Sequence, residues 1–155
     1  MNKKAVYYNI MAVRDYECDL EGIVNNSNYM RYMEHTRHCF LKAGGMDFAE
    51  LHRQGIDPVV TRAEIDYLLP LTSGDLFVSA IENCGLKGSF RIIFKQIIYK
   101  IEKKELIPSA RGLIHAALIK DKKPYPAKGN MDTLLEIQER EIKLPDNPYQ
   151  FILIQ

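Results

Sequence analysis

The stretch CDLEGIVNNSNYMRYMEHTR, running from Cys18 to Arg37, gathers the residue types that an acyl-transfer site needs. Asp19 is a carboxylate able to act as a base or a nucleophile. Gly22 lets the segment carrying it adopt positive φ or approach a ligand closely. Asn25, Asn26, Ser27 and Asn28 then lead into a helical pattern. A helix start exposes backbone N–H groups that have no intrahelical acceptor, and such donors stabilise a developing oxyanion. An acid beside them can activate water against a carbonyl. The same residues also have plainer uses. An aspartate near a glycine bonds its own backbone in a turn, and asparagines cap helices or tie loops. On spacing alone Asn28 reads as the helix cap and Asn25 as a loop hydrogen-bonder.

Several elements have to hold this stretch in place. Val6 to Arg14 reads as a strand, and Asp15 to Asn28 as an irregular connection. From Tyr29 the period is helical. Tyr29, Met33, Thr36 and Phe40, flanked by Met30, Tyr32 and Leu41, form one apolar face, and Gly44-Gly45 closes the helix. Glu34 has His38 or Arg37 within reach one turn on. Phe48 to Gln54 suggests a second short helix. Four strands follow, at Val59–Leu69, Leu76–Cys84, Ser89–Lys103 and Leu106–Lys120, with turns at Pro70–Asp75 and Gly85–Gly88. The last two strands are apolar on both faces, which predicts a helix on one side and another subunit on the other. The tail offers a weak helix from Met131 to Arg140 and an apolar end, Phe151 to Ile154, suited to docking on the sheet or on a partner. The result is one α+β domain over residues 1–155, an antiparallel sheet wrapped around one long central helix.

The totals narrow the function. At 46% hydrophobic and 26% charged residues, the chain has an ordinary globular composition. A net charge of +1 gives no reason to expect nucleic acid or an anionic membrane surface as partner. No run approaches the ~20 apolar residues of a membrane span, and the first residues have no signal-peptide pattern, so the expected compartment is the cytoplasm. Three cysteines without CxxC spacing indicate neither a disulfide framework nor a zinc site. His35 and His38 do not form an HExxH arrangement, and no metal is expected.

Taken together, Val13-Arg14, Asp19-x-x-Gly22-Ile23-Val24-Asn25-Asn26-x-Asn28-Tyr29, Tyr32-x-Glu34-x-x-Arg37, Ile65-Asp66-Tyr67-x-x-Pro70, Gly74-Asp75 and Lys87-Gly88-Ser89-Phe90 resemble the hotdog-fold acyl thioesterases of the 4-hydroxybenzoyl-CoA thioesterase-like branch. The resemblance covers most of the chain. It implies hydrolysis of an acyl thioester, acyl-CoA or acyl-ACP, with no cofactor beyond coenzyme A as part of substrate or product. Position 26 departs from part of the family, where tyrosine or histidine is common. The Val-Asn-Asn sequence is similar to acyl-ACP thioesterases.

The resemblance also assigns roles. It implies Asp19 as general base or nucleophile and the backbone N–H of Asn26 as oxyanion donor, with Gly22 shaping the loop. Asn25 and Asn28 are candidates for positioning water, and Tyr29 for lining an acyl tunnel, although its apolar-face position equally suits core packing. The pantetheine arm would pair with strand backbone at Val60-Thr61. Lys87, Arg91 and Arg62 are candidates for phosphate contacts, against the plainer reading of solubilising surface charge. The family implies a homodimer or homotetramer in which two sheets join edge to edge and the site lies between subunits. Two other readings stay open: a non-catalytic acyl-CoA-binding module, and a hotdog dehydratase, which would need a histidine that the Asp19–Asn28 segment lacks.

Overall fold

The computed structural model describes residues 2–151. The chain runs through β1 (Lys4–Ala5), β2 (Tyr7–Ala12), a 3-10 turn (Asp15–Glu17), α1 (Asn26–Ala43), α2 (Phe48–Arg53), β3 (Ile56–Tyr67), β4 (Leu76–Lys87), β5 (Arg91–Glu102), β6 (Glu105–Lys120), β7 (Lys123–Tyr125), α3 (Asp132–Leu135) and β8 (Arg140–Glu141). The main sheet is antiparallel in the order β2-β4-β5-β6-β3, with β7 paired to β6. The expected α+β architecture, a sheet around one long helix, is what forms.

Helix α1 exists because its apolar face repeats at helical spacing. Tyr29, Tyr32, Met33, Thr36, Phe40 and Leu41 are all buried, against Phe77, Ile81, Ile92, Phe94, Ile98 and Ile114 of the sheet. Contact is close at Gly112, where a Cβ would lie 2.6 Å from the Met33 sulfur. The helix begins at Asn26 rather than Tyr29, because Asn25 caps it: its side-chain oxygen accepts the Ser27 N–H at 3.0 Å. Asn25 and Asn28 therefore exchange the roles that spacing suggests. At the other end Gly44 closes the helix and Gly45 takes the left-handed conformation, φ +84°.

Arg37 is a further departure. Glu34 pairs with His38 at 3.8 Å, whereas Arg37 is buried, 5% exposed, and its Nη1 donates to Gln96 Oε1 at 2.8 Å. Strand β4 also outruns its expected end at Cys84. Gly85 pairs with Ile93 inside the ladder, and the reversal waits for Gly88, whose φ is +68°. Strand β3 starts at Ile56, three residues early, and ends at Tyr67 instead of Leu69. As an edge strand it tolerates Pro58.

The tail departs most. Of the expected helix from Met131 to Arg140 only Asp132–Leu135 forms, and Arg140–Glu141 pairs with Lys4–Ala5; a 3-10 turn follows at Pro148–Phe151. Ile142 and Leu144 join Ala5 over Val78, Ala80, Ile97 and Tyr99. The outer face assigned to another subunit is therefore covered in part by the chain's own tail. The apolar end at 152–154 lies outside the described residues, as does the side chain of Phe151.

Candidate active site

The loop before α1 is tightly bonded. Asp19 N–H donates to the Ile23 carbonyl at 2.9 Å, and Gly22 N–H donates to the Asp19 carbonyl at 3.1 Å. Gly22 has φ +78°, a conformation that a side chain at this position would strain. Asp19 Oδ1 accepts the Glu21 N–H at 2.9 Å. The turn role of Asp19 is thus present, and it occupies one carboxylate oxygen. The loop is anchored by bridges from Cys18 to Val24 and from Ile23 to Thr72.

Asp19 and Asn26 line one cleft of about 350 Å³, with Ile23, Val24, Tyr29, Tyr67, Leu68, Leu69 and Pro70 as its other walls. Among the described residues, the Asn26 N–H has no hydrogen-bond acceptor, while the next N–H, on Ser27, is taken by Asn25. The orphan donor therefore falls at the helix residue nearest the acid in sequence. Tyr67 OH donates to the Asn26 carbonyl at 3.3 Å. Tyr29 is buried, 3% exposed, and its hydroxyl accepts the Leu71 N–H at 3.0 Å. Tyr29 serves as both core and cleft wall.

Spacing alone did not pick out Glu17 or Tyr67. Glu17 is a buried acid whose Oε1 accepts the Arg14 N–H at 2.7 Å. Its carbonyl accepts both the Asn25 N–H at 2.9 Å and Asn28 Nδ2 at 2.8 Å. It ties the loop to the first turn of α1. The sequence carried no capping signal for it, because the Arg14 side chain at the cap position has only donors and the capping box calls for an acceptor there. Tyr32, behind this knot, has its phenol pKa raised by burial and then by Glu17.

The remaining expected residues do not reach this cleft within one chain. Val60 is 45% exposed on the edge strand, and Thr61 Oγ1 donates to the His115 carbonyl at 3.3 Å. Arg62 pairs with Glu64. Lys87 and Arg91 face each other at the β4–β5 turn, both exposed. Arg91 lies in register with Ala117, which in turn faces Val59 of β3. From Val59 to Tyr67 a strand advances ~26 Å. The candidates therefore divide between the two ends of β3, with the acid and the oxyanion donor at one end and the basic groups at the other. Among the described residues no three His, Cys, Asp or Glu side chains cluster as a metal would require.

A curled antiparallel sheet closed over one long helix, with an acid and an open helix start on one cleft, is the hotdog class of α+β domain. The chain belongs to the Thioesterase-like superfamily, which it matches over residues 13–123. It is 38% identical over 103 residues to the chloroplastic acyl-acyl carrier protein thioesterase ATL3 of Arabidopsis thaliana, a match covering 66% of this chain and 54% of that protein. The chain thus spans about half the length of the curated plant relatives it matches. Among solved structures, a hypothetical protein from Aquifex aeolicus superposes with TM-score 0.76 at 27% identity, covering 84% of this chain and 99% of the other. A 1,4-dihydroxy-2-naphthoyl-CoA thioesterase from Synechocystis shares the fold at TM-score 0.75 and 17% identity, over 86% and 96% of the two chains. No helix among the described residues is long and apolar enough to cross a membrane.

Proposed function

We propose that this protein hydrolyses an acyl thioester, carried on coenzyme A or acyl carrier protein, to free acid and thiol. The observation that carries the reading is that Asp19 and Asn26 line one cleft and that the Asn26 N–H, among the described residues, has no acceptor. The acid removes a proton from the attacking water, or attacks the carbonyl itself to form a transient anhydride. The N–H at the start of α1, where the helix carries about half a positive charge, receives the oxyanion. Gly22 holds the loop in its positive-φ turn. Membership of the superfamily and the name of the plant relative support this reaction class.

The same proposal includes a homodimer through β3. Among the described residues this 12-residue strand has no partner on its outer edge, and it is exposed along most of its length. Two copies related by a twofold axis pair antiparallel. The Tyr67 end of one strand then faces the Ile56 end of its partner, which brings Lys87 and Arg91 of one chain toward Asp19 of the other. That arrangement joins the two groups of candidates that one chain keeps apart, and it places basic side chains where a phosphorylated carrier arm enters. Val60 and Thr61 lie beside that path, and Arg62 lies near the axis.

The test is thiol release across a panel of acyl-CoA thioesters, repeated with acyl-ACP. Release from at least one substrate, abolished by Asp19→Asn, is the expected result. Binding of acyl-CoA with no release from any thioester would overturn hydrolysis in favour of a binding module.

A further inference from the structure

Arg37 has a use that the helix–sheet contact does not exhaust. Its side chain is 5% exposed, its Nη1 is bonded to Gln96, and its guanidinium lies 6.0 Å from the centre of the Phe94 ring. Gln96 passes the contact on to the Met33 carbonyl at 3.1 Å. Holding α1 to β5 in this way uses one of the five N–H donors that an arginine carries. Among the described residues no other acceptor meets the guanidinium and no carboxylate lies within ion-pair distance of it; Glu34, one turn back on the same helix, acts on it through space and pairs with His38 at 3.8 Å. Burial lowers the Arg37 pKa to about 10, which still leaves the group charged near neutral pH. A buried cation held by one neutral hydrogen bond and no contact ion pair is costly to desolvate, and a bound anion would offset that cost.

The place for the anion is beside it. Arg37 lines a cavity of about 290 Å³ whose walls include Leu41, Phe48, Val59, Ile92 and Leu118, with Glu34 and His38 as its other polar residues. No lining residue is shared with the Asp19 cleft. An apolar chamber with one buried guanidinium complements an apolar chain ending in a carboxylate, which takes two parallel N–H donors from arginine. We propose that this cavity is a binding site for a carboxylate carried on a medium-length apolar chain, with Arg37 as the anion's partner. The carboxylate has two sources, a free fatty acid or the far-end carboxylate of a dicarboxylic acyl thioester. The site stands on this geometry whether or not the Asp19 cleft hydrolyses thioesters.

Isothermal titration of the whole chain with octanoate and with 1-octanol tests it. Octanoate is expected to bind at least ten-fold more tightly than octanol. Arg37→Met, matched in length and free of charge, is expected to erase that preference while keeping octanol binding. Ala116→Leu, which takes up cavity volume and leaves the Arg37 charge in place, is expected to weaken both ligands. It also serves as the test if Arg37→Met does not fold. Equal binding of the two ligands by the wild type, no octanoate binding at millimolar concentration, or unchanged octanoate binding in Ala116→Leu would overturn the assignment. Hydrolysis of suberoyl-CoA against octanoyl-CoA separates the sources. A preference for the dicarboxylic thioester that Arg37→Met removes assigns the anion to the substrate. A rate on octanoyl-CoA that octanoate changes in wild type but not in Arg37→Met assigns it to a free acid. Because calorimetry reads binding alone, failure of hydrolysis leaves this test intact.

Discussion

The side-chain amide of Asn28 donates to the carbonyl of Glu17 at 2.8 Å, fastening the first turn of α1 to the loop that carries Asp19. Since the Asn25 N–H uses the same carbonyl, one oxygen joins both residues to the loop, beside the Cys18–Val24 and Ile23–Thr72 bridges. Asn28→Ala is expected to destabilise the fold by about 1 kcal/mol, the net value of such a bond. It should lower kcat more than it raises KM, because it displaces the acid rather than removing a substrate contact. Steady-state kinetics with a thermal melt check this, and a rise in KM alone would reassign Asn28 to substrate binding.

Asp19→Asn is expected to reduce turnover at least ~100-fold, the lower range for a lost general base, with little change in melting temperature. The asparagine retains an oxygen to accept the Glu21 N–H, so the turn survives and the chemistry does not. Turnover equal to wild type would sink the assignment of Asp19.

Asn25→Ala removes the α1 cap and should cost about 1 kcal/mol, or about 2–4 °C in melting temperature for a domain of this size. A melt within half a degree of wild type would show that the Ser27 N–H finds water at no cost.

The dimer reading gives a mixing experiment. Asp19→Asn and Arg91→Glu homodimers are each expected to be impaired, the second through carrier affinity. Mixed and re-equilibrated in equal amounts, they are expected to recover about a quarter of wild-type activity, since half the dimers are mixed and each has one intact composite site. No recovery, with exchange confirmed by mass, would place each site within a single chain.

Cys84 gives a pH dependence with a definite sign. Burial pushes its thiol from 9.0 up to about 12. Above pH 9 the unfolded chain loses this proton while the folded chain keeps it, so stability falls as pH rises from 9 to 12, by at most about 1.4 kcal/mol per unit. Below pH 9 the contribution is complete and flat. Parallel denaturant titrations of wild type and Cys84→Ala should converge on that slope as their difference.

Helix α1 was legible because four turns of consistent apolar spacing leave little alternative, and the long strands because their alternation is sustained. The ends were harder to place. Asn25, Asn26 and Asn28 are chemically equivalent as caps, and only the position of the Glu17 carbonyl separates them. Gly85 looks like a turn residue, yet pairing with Ile93 holds it in a strand. Arg37 read as one of two possible partners for Glu34, beside His38, since nothing local reveals Gln96 waiting 59 positions away. Asp19 and Asn26 could be read as neighbours because they are close along the chain. Lys87 and Arg91 gave no sign of lying at the far end of β3, because strand register is a property of the sheet.

The pairing of Lys4–Ala5 with Arg140–Glu141 makes the order of assembly part of the design. These two short strands are far apart along the chain and bring little surface of their own, so they are expected to join last. Until they do, Val78, Ala80, Ile97 and Tyr99 remain wetted on the back of an otherwise finished sheet. An exposed patch of this kind invites association between immature chains. The Ile142 N–H, bonded to the Lys3 carbonyl at 2.8 Å, is accordingly expected to exchange its hydrogen well before the amides of β5. The latch that seals the molecule is also the place expected to come open first.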